Sequence, residues 1–349
     1  MAGDALAVPA RPDAGGDWIA RLPKAEIHLH LEGAATPEFL VERARRRGEW
    51  LALEEARARF HYSDFMGFLM AYKWACDQLR APEDYAALLR DVVARLHAQN
   101  VLYAELTLSA GVVLWKRQDV DKVCEALVRA AEEVRREHGL EVRWILDAVR
   151  NFGADHVARV AEYALRWKDA GVVAFGVGGY EAQGPAELFR DTFDRIRAAG
   201  MRVTIHAGET EGPESIWSAI RNLGAERIGH GLAAFRDPEL MDYLKEKQIT
   251  LEVCPSSNVR TGALRQHTGS DDLAMHPLVA FVRRGLRVTL NTDDPGFFDT
   301  DLNREYALAH RLGLSREELV RVAEAGFASA FCEGPLRRSL LAQFRAGAL

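Results

Sequence analysis

Arg202-Val-Thr-Ile-His-Ala-Gly-Glu209 is a short β-branched run that stops on a histidine and, three residues later, a glutamate. Three other runs stop in the same manner. Ala25-Glu-Ile-His-Leu-His30 ends on two histidines, and Glu226-Arg-Ile-Gly-His230 on one. Arg287-Val-Thr-Leu-Asn-Thr292 leads into Asp293 and Asp294. Runs of this length and branching read as buried parallel strands. Metal- and acid-type residues recurring at the C-terminal ends of several strands form the layout of a barrel active site. That recurrence says more than any single histidine and marks the chain as a metal-dependent enzyme.

Outward from these four runs, four more lie at 101–108, 143–149, 172–177 and 249–253, making eight. Amphipathic helical patterns fall between them at 82–99, 120–138 and 185–199, the last closed by Gly200. Eight strands alternating with helices predict an α/β fold, a (β/α)8 TIM barrel. The gap from 31 to 100 is too long for one crossover helix. It holds a charged helical pattern at 37–59 and an aromatic-rich stretch at 60–79. An insertion after the first strand lies over the C-terminal mouth, so a helical lid is expected over about 37–99. Phe65, Phe68, Leu69, Tyr72 and Trp74 suit either a lid's inner face or ordinary helix core contacts. Residues 315–349 read as helices that close the barrel. The expected organisation is a disordered tail over 1–18 and a single barrel domain over 19–349.

Composition narrows the class. The chain has 349 residues, 48% apolar and 28% charged, which is globular and leaves out disordered and fibrous classes. A net charge of -6 from 45 basic and 51 acidic residues offers no case for a nucleic acid or membrane partner. Cys76, Cys124, Cys254 and Cys332 are widely spaced, without a CxxC pair, as expected of reduced thiols in a cytoplasmic protein. Residues 1–17 lack the basic and apolar segments of a signal peptide. Oligomeric state is left open.

The residue types suggest a division of labour. His28 and His30 stand at i and i+2 on a strand, so both imidazoles point to one face. With His206 and Asp293 they make three nitrogens and one carboxylate. That set with an open position suits one catalytic zinc, although iron and manganese accept the same ligand types. No acid or lysine stands at the tip of the fourth run to bridge a second ion. Glu209, three residues past His206, can sit beside the metal and donate a proton to a ring nitrogen. The other reading of Glu209 is a helix N-terminal acid favoured by the dipole. His230 can orient the attacking water or stabilise negative charge. Asp294 turns another way from Asp293 and is free to face the substrate. Gly176-Val-Gly-Gly179 lets a ligand approach the backbone, with the Gly179 N–H available to a heterocycle.

The ordered motifs HLHLEG, GGYE, HAGE, RIGHG, CPSSN and NTDDP resemble those of the adenosine deaminase family of the amidohydrolase superfamily, from about Pro23 onward. The resemblance implies a (β/α)8 barrel with one zinc ion on His28, His30, His206 and Asp293. It implies hydrolytic replacement of the 6-amino group of an adenine ring by oxygen, with release of ammonia. Glu209 would protonate N1, and His230 and Asp293 would position the hydroxide. Asp294 would meet N7 and the Gly179 N–H would meet N3, with His30 also facing the substrate. Adenosine-specific members carry Leu-Asp after the histidines, where this chain has Leu31-Glu32. In the family that acid lies near the ribose 5′-hydroxyl. Members acting on adenine, or on 6-aminodeoxyfutalosine in menaquinone biosynthesis, are similar to this chain there. Aminodeoxyfutalosine carries a benzoate-bearing arm in place of the 5′-hydroxyl. Phe65, Phe68, Tyr72 and Trp74 are expected to stack on it, and Lys73 or Arg150 to pair with its carboxylate. Aminodeoxyfutalosine is therefore the expected substrate, with adenosine or adenine of purine salvage as the alternatives.

Overall fold

A computed structural model describes residues 16–348 of the chain. All eight expected runs are strands: β1 (Lys24–His30), β2 (Val101–Leu108), β3 (Glu141–Val149), β4 (Val172–Gly178), β5 (Arg202–Ala207), β6 (Arg227–His230), β7 (Thr250–Val253) and β8 (Val288–Leu290). They pair in parallel, each with the next in sequence. β8 stops three residues short of the site, yet the chain stays in the wall. Asn291 Oδ1 accepts the Ile27 N–H at 3.3 Å. Asp293 donates its N–H to the His28 carbonyl, and its own carbonyl accepts from His30 N, each at 2.9 Å. This bridge between Leu29 and Asp293 closes the barrel. The seam that completes the fold is therefore built from three of the expected metal ligands.

The strands are buried along nearly their whole length because helices cover them outside and side chains fill them inside. The fill is not purely apolar. Arg227 lies fully enclosed between Glu105 at 2.7 Å and Glu252 at 2.5 Å, with its guanidinium over the Phe331 ring.

The 31–100 gap is helical, but not as one unit. The charged pattern at 37–59 is two helices, Pro37–Arg46 and Leu53–Arg59, broken around Gly48, whose φ of +73° no helix accommodates. Asp64 caps the aromatic helix Phe65–Gln78 through the Gly67 N–H. Pro82–Ala98 lies along Val120–His138 in the outer ring. It is the ordinary crossover to β2, so the insertion proper ends before it rather than at 99. The expected tail over 1–18 lies mostly outside the described residues. Its last three residues belong to the helix Gly16–Arg21, anchored by buried Ile19 and Leu22 and by Trp18 edge-on to His310. All four cysteines are buried and free. Among the described residues no helix is long and apolar enough to cross a membrane.

Candidate active site

The four strand ends meet at one point. Ligand-capable atoms of His28, His30, His206 and Asp293 all lie within 4.8 Å of one another. His30 Nε2 and His206 Nε2 face each other at 3.1 Å. Asp293 Oδ1 stands 3.3 Å from both His28 Nε2 and His30 Nε2. A divalent cation fits this donor set. The His28 Nδ1 side is taken by Glu252 Oε2 at 2.6 Å, while Nε2 is buried without a hydrogen-bond partner. A carboxylate on one ring nitrogen fixes the tautomer and leaves the other lone pair for a metal. Ser257 Oγ donates to Asp293 Oδ2 at 2.7 Å, aiming Oδ1 at the histidines. Three nitrogens and one carboxylate leave room for water or substrate, as catalytic sites require.

Local backbone serves this convergence. Asp293 and His230 both hold positive φ, 60° and 62°, a strain that non-glycine residues carry where surrounding structure imposes it. A Cβ on Gly229 would come within 2.7 Å of the His28 ring, and one on Gly33 within 1.6 Å of Asp294 Oδ1. Each glycine leaves space that a site residue occupies.

The remaining predicted residues ring the same cavity, about 360 Å³, near the low end for small-molecule sites. Its floor includes His30, His206, Glu209, His230, Asp293, Asp294 and Gly179. Burial, then the charges of Asp293 and Glu181, pushes the Glu209 carboxyl well above the usual range. A carboxyl shifted in this direction keeps a proton to higher pH than a free glutamate and can act as a donor. Asp294 is raised as well, by burial and then by Asp293, and its Oδ1 is buried without a partner. His230 Nε2 lies 3.6 Å from Glu209 Oε2 and 3.9 Å from Asp293 Oδ2.

Three expectations change. Glu32 does not line the cavity. It is buried behind Ser109, whose N–H reaches both carboxylate oxygens at 3.2 and 3.3 Å, and burial raises it to about 7. Ser109 Oγ in turn pairs with Tyr72 OH at 2.7 Å, so Glu32 reaches the cavity only through them. Trp74 packs on Phe60 and Arg59 instead of the cavity. Arg150 is buried and spends its guanidinium on the His206 and Gly184 carbonyls. Lys73 does line the cavity, beside the Trp115 ring.

Several residues escaped the sequence reading. Glu181, the acid of GGYE, accepts the N–H groups of Gly208, Glu209 and Thr210 at 2.7–2.9 Å and thereby clamps the turn carrying Glu209. Ser257 and Asn258 of CPSSN support Asp293 and His230. Asp147 of β3 also faces the cavity. The motifs contained these letters, but only contacts across the barrel show what they hold.

The family model described as Adenosine deaminase matches residues 23–346. An aminodeoxyfutalosine deaminase of Streptomyces coelicolor is 39% identical over 324 residues, covering 91% of this chain and 82% of that protein. An adenine deaminase of Rhizobium meliloti is 36% identical over 325 residues, covering 93% and 98%. Among solved structures, adenine deaminase from Arthrobacter aurescens superposes with a TM-score of 0.86 at 28% identity, covering 93% of this chain and 98% of that one.

Proposed function

The chain belongs to the adenosine deaminase family, and on that premise we propose that it deaminates a 6-aminopurine nucleoside hydrolytically in a zinc-dependent reaction. The 6-amino group leaves as ammonia and a 6-oxo group replaces it. The preferred substrate is 6-aminodeoxyfutalosine, in menaquinone biosynthesis and in the cytoplasm. The observation that carries this reading is the convergence of His28, His30, His206 and Asp293 in the cavity that Glu209 also lines.

Zinc held there would supply hydroxide from water near neutral pH. The chain's own residues do the rest. Glu209 hands its proton to ring N1, which draws electrons from C6 and opens it to attack. His230 and Asp293 position the attacking oxygen. Asp294 Oδ1 meets N7, and the Gly179 backbone meets N3, where the positive φ of 96° turns the chain along the cavity.

Preference for an armed substrate rests on the wall. Met66, Met70, Trp115 and Phe152 are all exposed and all line this cavity. Trp115 and Phe152 stack with centroids 5.8 Å apart and planes 15° apart. Exposed apolar surface gathered at one cavity mouth marks a ligand contact. Lys73 lies over the Trp115 ring and pairs with solvent-exposed Asp77, which an incoming carboxylate can displace. The helix Phe65–Gln78, which supplies Met66, Met70 and Lys73, acts as the lid.

The test is metal analysis of the purified protein followed by an absorbance assay on adenine, adenosine, 5′-deoxyadenosine, methylthioadenosine and aminodeoxyfutalosine at equal concentration. One zinc per chain and a clear preference for aminodeoxyfutalosine are expected. Preference for adenine or adenosine would keep the chemistry and overturn the assignment of the wall. Zinc without turnover on any of them would overturn the reaction.

A further inference from the structure

His230 bears on the attacking oxygen through Nε2, so which ring nitrogen carries its proton decides whether it donates or accepts there. Three buried groups behind it settle the matter. The Leu278 backbone N–H, which can only donate, points at His276 Nδ1 at 3.1 Å. His276 Nδ1 must therefore be the bare acceptor, and its proton sits on Nε2. His276 Nε2 lies 3.1 Å from Asn258 Oδ1 and donates to it. That orients the Asn258 amide with its NH2 group toward His230 Nδ1, 3.2 Å away. His230 Nδ1 must then accept, and its proton is left on Nε2, facing Glu209 and Asp293.

We propose that His276 and Asn258 are positioning residues forming a one-way hydrogen-bond relay that locks His230 in the Nε2–H tautomer. The direction starts from a main-chain amide, so no side-chain rotation can reverse it. Flipping Asn258 would oppose its NH2 to the His276 Nε2–H. Protonating His276 would oppose its Nδ1–H to the Leu278 N–H, and burial already lowers this histidine to about 3. All three side chains are at most 5% exposed, so water does not offer an alternative partner. In this tautomer His230 is a hydrogen-bond donor to the attacking oxygen. It orients that oxygen and steadies negative charge, and it does not take the proton of water.

The catalytic part of this inference rests on the role given to His230 above; the tautomer does not. Nitrogen-15 histidine spectra of the full-length metal-loaded protein, with His230 assigned by its absence in His230→Gln, read the tautomer directly. A protonated Nε2 and a bare Nδ1 are expected, and a protonated Nδ1 would overturn the relay. Asn258→Asp replaces the donor by an acceptor and should move the Nδ1 resonance into the protonated range. An unmoved resonance would overturn the relay too. Asn258→Leu removes the direction altogether and should lower kcat by at least on the order of 100-fold, towards the roughly 10⁴-fold that a fully wrong tautomer costs elsewhere, with KM changed little. A variant that loses the tautomer but keeps wild-type kcat would leave the relay standing and sink the role of His230. His276→Phe, which frees the Asn258 amide to flip, should give a smaller loss of the same kind. If Asn258→Leu does not fold, the wild-type spectrum still decides.

Discussion

The floor and the wall of the cavity are built on opposite principles. On the floor, four of the side chains are held by an interaction from another strand or loop. Glu252 fixes His28, Ser257 fixes Asp293, Glu181 fixes the turn of Glu209, and Asn258 fixes His230. On the wall, Met70 is 63% exposed and Trp115 47% exposed, held by ring contacts and helix packing. Rigid polar floors suit chemistry, where a misplacement of about 1 Å can cost 100-fold. Methionine and exposed aromatic rings suit recognition of an apolar group that arrives with some freedom. On the proposed reading, the contrast assigns reaction and substrate choice to separable parts of this cavity.

The sharpest way to break that division is on the floor. Glu209→Gln keeps the shape and the backbone hydrogen bond donated to Glu181 but removes the transferable proton. It should lower kcat about 1,000-fold on every substrate alike, with zinc content and product binding retained. A loss confined to one substrate would show that Glu209 reads the arm instead of the ring. Next in size is the wall. Trp115→Ala should lower kcat/KM for the armed nucleoside about tenfold and leave adenine turnover unchanged. Equal losses on both, measured side by side, would mean the stacked pair supports the floor and the two regions are not separable.

A further effect is in stability rather than turnover. Glu305, buried beneath the floor, accepts the Ser256 N–H, and burial raises its carboxyl from 4.5 to about 7. Folded protein thus binds a proton here that unfolded chain has released between those values. Its contribution is complete below pH 4.5 and is lost as pH rises through 7. Glu305→Gln should make denaturant unfolding less pH-dependent across that window, by on the order of 3 kcal/mol. An unchanged slope would mean Glu305 is ionised in the folded protein.

Residue order made the eight strands legible because each is a short β-branched or apolar run, and burial on both faces requires that composition. The same order made the metal residues legible, since polar residues at the tip of a buried strand have few other uses. Glu181 and Asn258 were unreadable in role for a physical reason. Glu181 lies 28 positions from Glu209, and Asn258 lies 28 from His230, so only barrel closure brings each pair together. The wall misled for a different reason. Trp74 and Trp115 are both large aromatics near the lid, and helix phase alone turns one to Phe60 and the other to the cavity. Glu32 likewise sits next to the right motif, yet the turn after β1 buries it behind Ser109.

By itself the sequence determined the barrel, the four residues that could hold a metal and the acid beside them, because strand period and strand-end chemistry are local properties. Tertiary structure alone decided which side chains line the cavity and which support the residues that do. It also decided the direction of the hydrogen bonds behind His230. Those depend on side-chain orientation across distant strands, and a linear order of residues does not contain it.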